Sequence, residues 1–575
     1  MKRVFIGHRG VGKTSLLERH QVYFNDIAHF DLDNEIEKRV EMTIGEFFEK
    51  YGEEKFRELE ISEYAKIVTK NFSYAIAVGA GFRVDNLKAD NEVIYVSRLT
   101  DSDGRLFLNR PRLDLNLSPL VESKLRYQER QPYFLQNSHS IYFLPEGLQS
   151  VSAIEKIILE KSFQISDAIY TLSAHEIPTI NALMKCYSQV ELRTDLLSSE
   201  AIHQLTTSYP EFNWLVSFRN SSAVSLAPNI RIDWDISLGS VPSYLLRNSK
   251  VILSTHIDQI HKAIQAFVSN PPAHLKLSPL VENFIDLRLG YEWQQLDPKN
   301  RSFLPRSKKG RWSWFRLLSK YTQKLNFIRN YSLLEDQPTS FEWLTLPEKR
   351  PNEWAAVMGS PVYFSRTPMQ HKKYFGVKKT FVCKIDIAEA EFKTFLPWLT
   401  SLGLTYAAVT SPLKEIAYEL ANERSDAAHK FKAVNTFFLR GNKVAGHNTD
   451  IDGFKYLVRE LNKNEHVAVW GGGGTLKVIF SVLPEAFYFS SQTAHERSAR
   501  SFDPNVFKIL VWAAPRSERT VLPASEFAFT EVIDLNYVEN SMGLEYAILK
   551  NIKYTSGVEM FREQAKKQQE YWSSK

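Results

Sequence analysis

The 575-residue chain reads as α/β throughout, and three stretches carry that reading. Near the start an apolar run, VFI, leads into GHRGVGKT, Gly7 to Thr14, the strand–loop–helix spacing G-x-x-x-x-G-K-[ST]. Near the end HVAVWGGGGTLKVIF sets Gly471 to Gly474 between an apolar strand and an apolar helix start, the first βα turn of a dinucleotide fold. Between them VELRTDLL, LVSFRNS, IRIDWDIS, VILSTHID and AHLKLSP are short apolar runs ending in polar residues, the pattern of a (β/α) barrel whose strand C-termini carry the chemistry. The predicted architecture is a P-loop domain, then a compact (β/α) barrel, then a two-lobed unit with a Rossmann lobe.

Two seams set the expected boundaries. One lies near FLPEGLQSVSAIEKII, where a strand-like run gives way to a helical pattern, and the other is the charged, Pro-flanked LPEKRPNEW. They divide the chain at about 1–160, 161–350 and 351–575; within the last, a first lobe of about 351–455 plus the C-terminal helix is expected to hold the substrate, and about 456–555 to form the Rossmann lobe. A hydrophobic content of 43% and a charged content of 24% are those of a globular protein, and no apolar run approaches the length of a membrane helix. The opening MKRVFIGHRG has too short an apolar segment for a signal peptide. With only Cys186 and Cys383 there is no disulfide framework and no cysteine zinc site, so a cytoplasmic enzyme is expected. The net charge of +6 is scattered along the chain, which suits anionic small molecules and neither nucleic acid nor a membrane. A homodimer is allowed by this reading, not required by it.

In the first segment the backbone N–H groups of Gly7, Gly10 and Gly12 are placed to cradle phosphates, Lys13 to reach the terminal phosphates, and the Thr14 hydroxyl to hold Mg²⁺. In HFDLDNEIE, Asp31 and Asp33 are read as alternating at a strand end, one toward the metal and one toward an acceptor hydroxyl. GEEKFRELE, YAIAVGAG and RPRL followed by RQPYF complete a series that resembles shikimate kinase over most of residues 1–160. The resemblance implies Lys13, Thr14 and Asp31 on ATP–Mg²⁺, Asp33 on the ring hydroxyls, Arg57 and Arg130 on the carboxylate, Gly79 and Gly81 beside the ring, and Arg110 closing over the phosphates. Ala80 interrupts the family's glycine turn.

In the last segment FSRTPM, VTSPLKE, KAVNTFF and GHNTDIDGF precede the glycine turn, and VIDLNY and GVEMFREQA follow it. This ordered set resembles shikimate dehydrogenase across about 355–575. It implies a Lys414–Asp450 catalytic dyad, with Ser365, Thr367, Thr410, Asn435 and Gln564 on the substrate and Gly471, Gly473, Gly474 and Gly557 near the cofactor. The sequence departs at Ala408, where the family has asparagine, and at Ser491, Gln492 and Thr493, where the arginine that clamps a 2′-phosphate is missing. NADPH is still expected, through Arg497.

The middle segment resembles type I 3-dehydroquinate dehydratase. Lys276 matches its Schiff-base lysine and His256 its general acid/base; Glu191, Arg193, Arg219 and Gln337 match substrate contacts, Ser332 aligns loosely with another, and Arg311 or Arg316 is left to meet the carboxylate. The segment is shorter than the family's barrel, lacks the acidic Gly-rich stretch after SFR, and carries Asp235 where a glutamate is usual. The three resemblances, in this order, are those of the C-terminal domains of the fungal AROM polypeptide. They imply a trifunctional shikimate-pathway enzyme taking 3-dehydroquinate, 3-dehydroshikimate and shikimate in turn. Two alternatives stay open: a metabolite sensor resembling the quinate-pathway repressor, and a bifunctional kinase and dehydrogenase with an inert middle domain.

Overall fold

The structure is a computed structural model that describes residues 1–83, 85, 90–98, 114, 117, 119–144, 152–221, 224–226, 230–242, 251–267, 274–308, 310–330, 336–362, 365–461, 466–514, 519–537 and 541–575. The chain folds as two compact units, the first running through Arg350 and the second from Pro351 to Lys575. No helix among the described residues is long and apolar enough to cross a membrane.

The first unit opens with a five-stranded parallel sheet in the order β2-β3-β1-β4-β5, made of β1 (Lys2–Ile6), β2 (Ala28–Asp31), β3 (Tyr74–Ala77), β4 (Glu92–Arg98) and β5 (Ser140–Leu144). Strands covered on both faces must be apolar throughout, and Val4 to Ile6 and Tyr74 to Ala77 are all buried. After β1 the chain must turn beneath β4 before the helix Lys13–Tyr23. A Cβ on Gly7 would lie 2.4 Å from the Val96 carbonyl oxygen, and φ is +74° at Gly10 and +97° at Gly12, so only glycine makes this turn. The helix Ile44–Lys70 starts in a capping box, with Thr43 and Glu46 exchanging bonds, and kinks at Gly52.

The same unit holds eight parallel strands in barrel order: β6 (Ile169–Thr171), β7 (Val190–Arg193), β8 (Trp214–Phe218), β9 (Arg231–Asp235), β10 (Val251–Thr255), β11 (His274–Leu277), β12 (Arg301–Phe303) and β13 (Phe327–Ile328). Each of β6 to β11 pairs with the next, and β13 returns to β6, giving a curled parallel sheet. No ladder joins β12 to β13 among the described residues. Ile169, Leu215 and Ile252, from alternate strands, pack with Leu304, Leu325 and Phe327 as one interior layer, as a closing barrel requires. Phe341, on the helix Ser340–Thr345, packs into the core of the first sheet with Ile94, Tyr142 and Leu159. The sheet and the barrel thus share apolar core across the seam expected near residue 160.

In the second unit β14 (Trp354–Gly359), β15 (Val382–Asp386), β16 (Leu404–Val409), β17 (Glu423–Arg424), β18 (Thr436–Arg440) and β19 (Lys443–His447) form a mixed sheet in the order β15-β14-β16-β18-β19-β17. A parallel sheet follows, ordered β21-β20-β22-β23-β24, from β20 (His466–Gly471), β21 (Phe487–Phe489), β22 (Phe507–Ala513), β23 (Glu531–Asp534) and β24 (Lys553–Thr555). The last helix, Val558–Ser573, returns to the first lobe, where Trp572 Nε1 donates to the Phe437 carbonyl at 2.9 Å and Gln568 Nε2 to that of Asn435 at 3.1 Å.

Candidate functional site

Three groups of side chains gather where the sequence motifs lie. In the P-loop site Lys13 Nζ folds back over its own turn, donating to the carbonyls of Gly7 at 2.9 Å and His8 at 3.1 Å. Thr14 Oγ1 donates to Asp31 Oδ2 at 2.6 Å, so a hydroxyl and a carboxylate oxygen, the hard donors that suit Mg²⁺, stand side by side. β2 ends at Asp31, and Asp33 lies in the first turn of the helix Leu32–Val40. The alternating strand end expected for the two aspartates is therefore corrected: the Asp31 carboxylate caps that helix, accepting from Asn34 N, and the strand stops there.

Around Asp33 the wall is close. A Cβ on Gly79 would lie 3.2 Å from Asp33 Oδ1 and 2.6 Å from Glu60 Oε1, and one on Gly81 would lie 2.1 Å from Arg57 Nη2. Arg57 is held by Glu53 at 2.8 Å and Glu60 at 2.5 Å. Glu60 is 1% exposed, and burial, against the pull of Arg57, pushes its carboxyl up to about 7. The sequence reading passed over Glu60, although its i+3 spacing from Arg57 puts both on one helix face. Burial, then the neighbouring Arg126 and Arg57, lowers the Arg130 guanidinium, so two arginines face one region where an anion would relieve their repulsion. Arg110 lies outside the described residues.

The barrel site is a cavity of about 340 Å³ at the C-terminal ends of the strands. Glu191, Arg193, Arg219, His256, Lys276 and Gln337 all line it, and so does Arg316. Arg311 donates to the Glu282 carbonyl and stacks over Phe284 and Trp312. Ser332 lies outside the described residues. Lys276 is 4% exposed, and its Nζ donates to Asp233 Oδ2 at 2.6 Å and lies 4.0 Å from the Phe327 ring centre. Arg219 Nη2 donates to the same oxygen at 2.6 Å, and Glu191 Oε1 is 3.9 Å from the lysine.

Burial pushes the Lys276 amine down, against the pull of Asp233. Burial likewise opposes ionisation of Asp233, yet Arg219 and Lys276 outweigh it and hold that carboxyl well below the usual range. Asp233 Oδ1 and Arg219 Nε find no hydrogen-bond partner among the described residues. Glu191 accepts from Thr171 and Ser217, each at 2.6 Å, and Gln337 Nε2 donates to Thr171 Oγ1 at 2.7 Å. His256 Nδ1 sits 2.6 Å from Asp235 Oδ2, and burial followed by Arg219 lowers the imidazole to about 4. Asp233 was missed in the sequence; its signal was a charge two residues before Asp235 in a strand where the alternating Ile232 and Trp234 are apolar.

In the two-lobed unit Lys414 Nζ donates to Asp450 Oδ2 at 2.7 Å. Asp450 is 5% exposed, and its other oxygen accepts from Asn435 Nδ2 at 2.8 Å and Gln564 Nε2 at 3.0 Å, so three distant segments hold one carboxylate. A Cβ on Gly453 would lie 2.5 Å from Gln564 Cγ, which is why the helix carrying Gln564 can come so close. Ser365 Oγ and Thr367 Oγ1 are 3.0 Å apart, and Thr410 N donates to the Met358 carbonyl at 2.9 Å. At the glycine turn φ is +79°, +130° and +42° at Gly471, Gly472 and Gly473. Cβ atoms on Gly473 and Gly474 would meet nothing within 4 Å, an open backbone that fits a pyrophosphate. A Cβ on Gly557 would lie 2.5 Å from the Leu535 carbonyl oxygen. Arg497 is exposed on a turn running back beside β21, its N–H donating to the Tyr488 carbonyl at 2.7 Å.

Against known proteins, residues 9–146 match the shikimate kinase family and residues 357–437 the shikimate dehydrogenase substrate binding domain. The shikimate biosynthesis protein AroDE of Chlamydia pneumoniae is 25% identical over 331 residues, covering 51% of this chain and 68% of that protein. The shikimate dehydrogenase (NADP(+)) of Bartonella henselae is 31% identical over 142 residues, covering 24% of this chain and 48% of that one. The chain thus spans about half the length of such dehydrogenases. Among solved structures, the shikimate dehydrogenase of Aquifex aeolicus is 21% identical with a TM-score of 0.34, covering 39% of this chain and 93% of that one. A dehydroquinate dehydratase and shikimate dehydrogenase structure from S. pombe AroM is 16% identical with a TM-score of 0.29, covering 72% and 97%. With its kinase match ahead of its dehydrogenase match, the chain resembles the AROM polypeptide.

Proposed function

We propose that the chain catalyses three consecutive reactions: it dehydrates 3-dehydroquinate through an imine on Lys276, reduces 3-dehydroshikimate with NADPH, and phosphorylates shikimate with ATP and Mg²⁺. The observation that carries this reading is Lys276, an amine 4% exposed on the wall of a cavity it shares with His256. Burial favours the neutral amine that must attack a ketone.

In the barrel the Lys276 amine adds to the substrate ketone and water leaves, forming the imine. His256 takes the proton alpha to it, and the beta hydroxyl departs with a proton as water; a second water then hydrolyses the imine and frees the lysine. Arg316 and Arg219, two of the cations that line the cavity, meet the carboxylate, and Gln337 and Glu191 order the hydroxyls. In the two-lobed unit NADPH supplies the hydride when bound. Lys414, steered by Asp450, hands the substrate oxygen its proton as the carbonyl becomes an alcohol, while Asn435 and Gln564 keep the aspartate in place. Gly471, Gly473 and Gly474 are the residues that would hold the pyrophosphate.

In the first domain ATP supplies the phosphoryl group. Gly7, Gly10, Gly12 and Lys13 hold its phosphates, and Thr14 with Asp31 supplies oxygens for Mg²⁺. Asp33 accepts the proton of the acceptor hydroxyl, and Arg57 and Arg130 grip the carboxylate. The family matches at residues 9–146 and 357–437 support the kinase and dehydrogenase steps. The test is to feed the full chain 3-dehydroquinate, NADPH and Mg–ATP and follow products by NMR and mass spectrometry. Shikimate 3-phosphate is expected. A stall at 3-dehydroquinate, with added 3-dehydroshikimate still converted, would leave a bifunctional enzyme; binding without turnover of any intermediate would make the chain a sensor.

A further inference from the structure

Among the described residues the strand ladder of the barrel is interrupted between β12 and β13, and side chains make the joint there instead. Along the strands Phe303 N donates to Gln323 Oε1 at 2.9 Å and Leu325 N to Ser302 Oγ at 3.3 Å. At the cavity the tie is Asp336, one of the lining residues. Its carboxylate, 2% exposed, accepts from the backbone N–H groups of Ser307 and Trp312 and from Ser307 Oγ at 3.0 Å, all on the segment that follows β12. Ser307 Oγ in turn accepts from Arg311 N at 2.8 Å. Burial pushes the Asp336 carboxyl up, while the Trp312 N–H and then Arg316 favour its ionised form. A buried carboxylate met by three donors is satisfied in few arrangements, so it fixes the chain after β13 to the chain after β12.

We propose that Asp336 is a positioning residue of the dehydration step: by clasping the chain after β13 to the chain after β12, it fixes the adjacent Gln337 in the cavity wall, ready for the substrate hydroxyls. This rests on the dehydratase reading. Gln337 Nε2 donates to Thr171 Oγ1 at 2.7 Å, and that hydroxyl donates to Glu191 Oε2, so the amide reaches across to β6 and β7. One residue earlier, Asp336 anchors the chain on the β12 side. One residue later, the Pro338 carbonyl accepts from Arg329 N at 2.9 Å, which holds the chain to the end of β13. Gln337 therefore sits between two fixed points and has little freedom left to lose when substrate binds. Without Asp336 the amide would be carried by chain tied on the β13 side only, with no ladder to β12 behind it, and substrate binding would have to supply the ordering.

The full chain is assayed with 3-dehydroquinate by the ultraviolet absorbance of the conjugated enone product, for the wild type, Asp336→Asn, Gln337→Ala and the double variant, with thermal unfolding measured alongside. The asparagine keeps the shape but turns an NH₂ group toward N–H donors. Asp336→Asn is expected to raise KM by about 10-fold with kcat changed by less than about 3-fold. In the Gln337→Ala background it should add almost nothing, because its effect runs through that amide. A mere loss of folded protein would instead lower kcat, leave KM alone and act equally in both backgrounds. That pattern, or a KM for Asp336→Asn equal to that of the wild type, would overturn the proposal. If Asp336→Asn does not fold, the cycle is read with Ser307→Ala, which removes one of the three bonds: a rise in KM of about 3-fold that vanishes beside Gln337→Ala supports the clasp, and no rise, or one undiminished there, overturns it. A wild-type chain that neither forms the enone nor gives a borohydride-trapped adduct on Lys276 would overturn the dehydratase reading itself, and this inference with it.

Discussion

Replacing Asp233 by Asn probes the most heavily charged point of the barrel. The carboxylate is 0% exposed and receives both the Lys276 ammonium and the Arg219 guanidinium at 2.6 Å. The amide keeps the shape but not the charge, leaving two buried cations with Glu191 as the nearest carboxylate, 3.9 Å from the lysine and 3.8 Å from the arginine. Breaking a buried pair by removing one partner costs about 3–5 kcal/mol. Arg219 cannot neutralise itself, so the cost falls at the lower end only if Lys276 sheds its proton, and about 3 kcal/mol is the expected loss. With a urea m-value of about 3 kcal/mol/M, that lowers the unfolding midpoint by about 1 M. The buried Trp214, Trp312 and Trp314 make fluorescence the natural probe. Losing the attraction that opposes burial also lowers the Lys276 pKa further, so imine trapping should extend to lower pH in the variant. A midpoint unchanged within error, together with an unshifted trapping profile, would refute the claim that Asp233 balances these charges.

Other outcomes follow from the same geometry. Lys414→Ala should cut dehydrogenase kcat by about 100-fold or more while kinase turnover persists, read by nicotinamide absorbance with shikimate and by coupled ADP release. Phe341→Ala removes a ring packed against Leu159 and Tyr142 and should destabilise the first unit by about 3–5 kcal/mol, shifting the unfolding of sheet and barrel together in calorimetry. Glu60 binds its proton more tightly in the folded chain, at about 7 against an ordinary 4.5. Its contribution to stability is therefore fully present below 4.5 and lost as pH rises through 7, and the wild type should lose about 3 kcal/mol across that window relative to Glu60→Gln in denaturant titrations.

What the amino-acid sequence determined by itself was every feature whose cause is local. GHRGVGKT and WGGGG demand positive φ or close backbone approach at fixed offsets, and Gly10, Gly12, Gly471 and Gly473 adopt those conformations wherever the rest of the chain goes. The short apolar runs of the middle segment likewise fixed strands by their own burial, in an order that needed no long-range knowledge. The tertiary structure decided what depends on register between strands far apart in the chain. Lys276 meets Asp233 because β11 aligns with β10 at Ser254 and β10 with β9, a coincidence across 43 positions that no local pattern encodes. That Arg316 lines the cavity while Arg311, five residues earlier, stacks on Trp312 is of the same kind. Asp450 shows the limit most plainly: its neighbours Lys414, Asn435 and Gln564 are brought to one carboxylate by separate segments of the first lobe and a returning helix, and only packing against Gly453 sets the last of them within 3.0 Å.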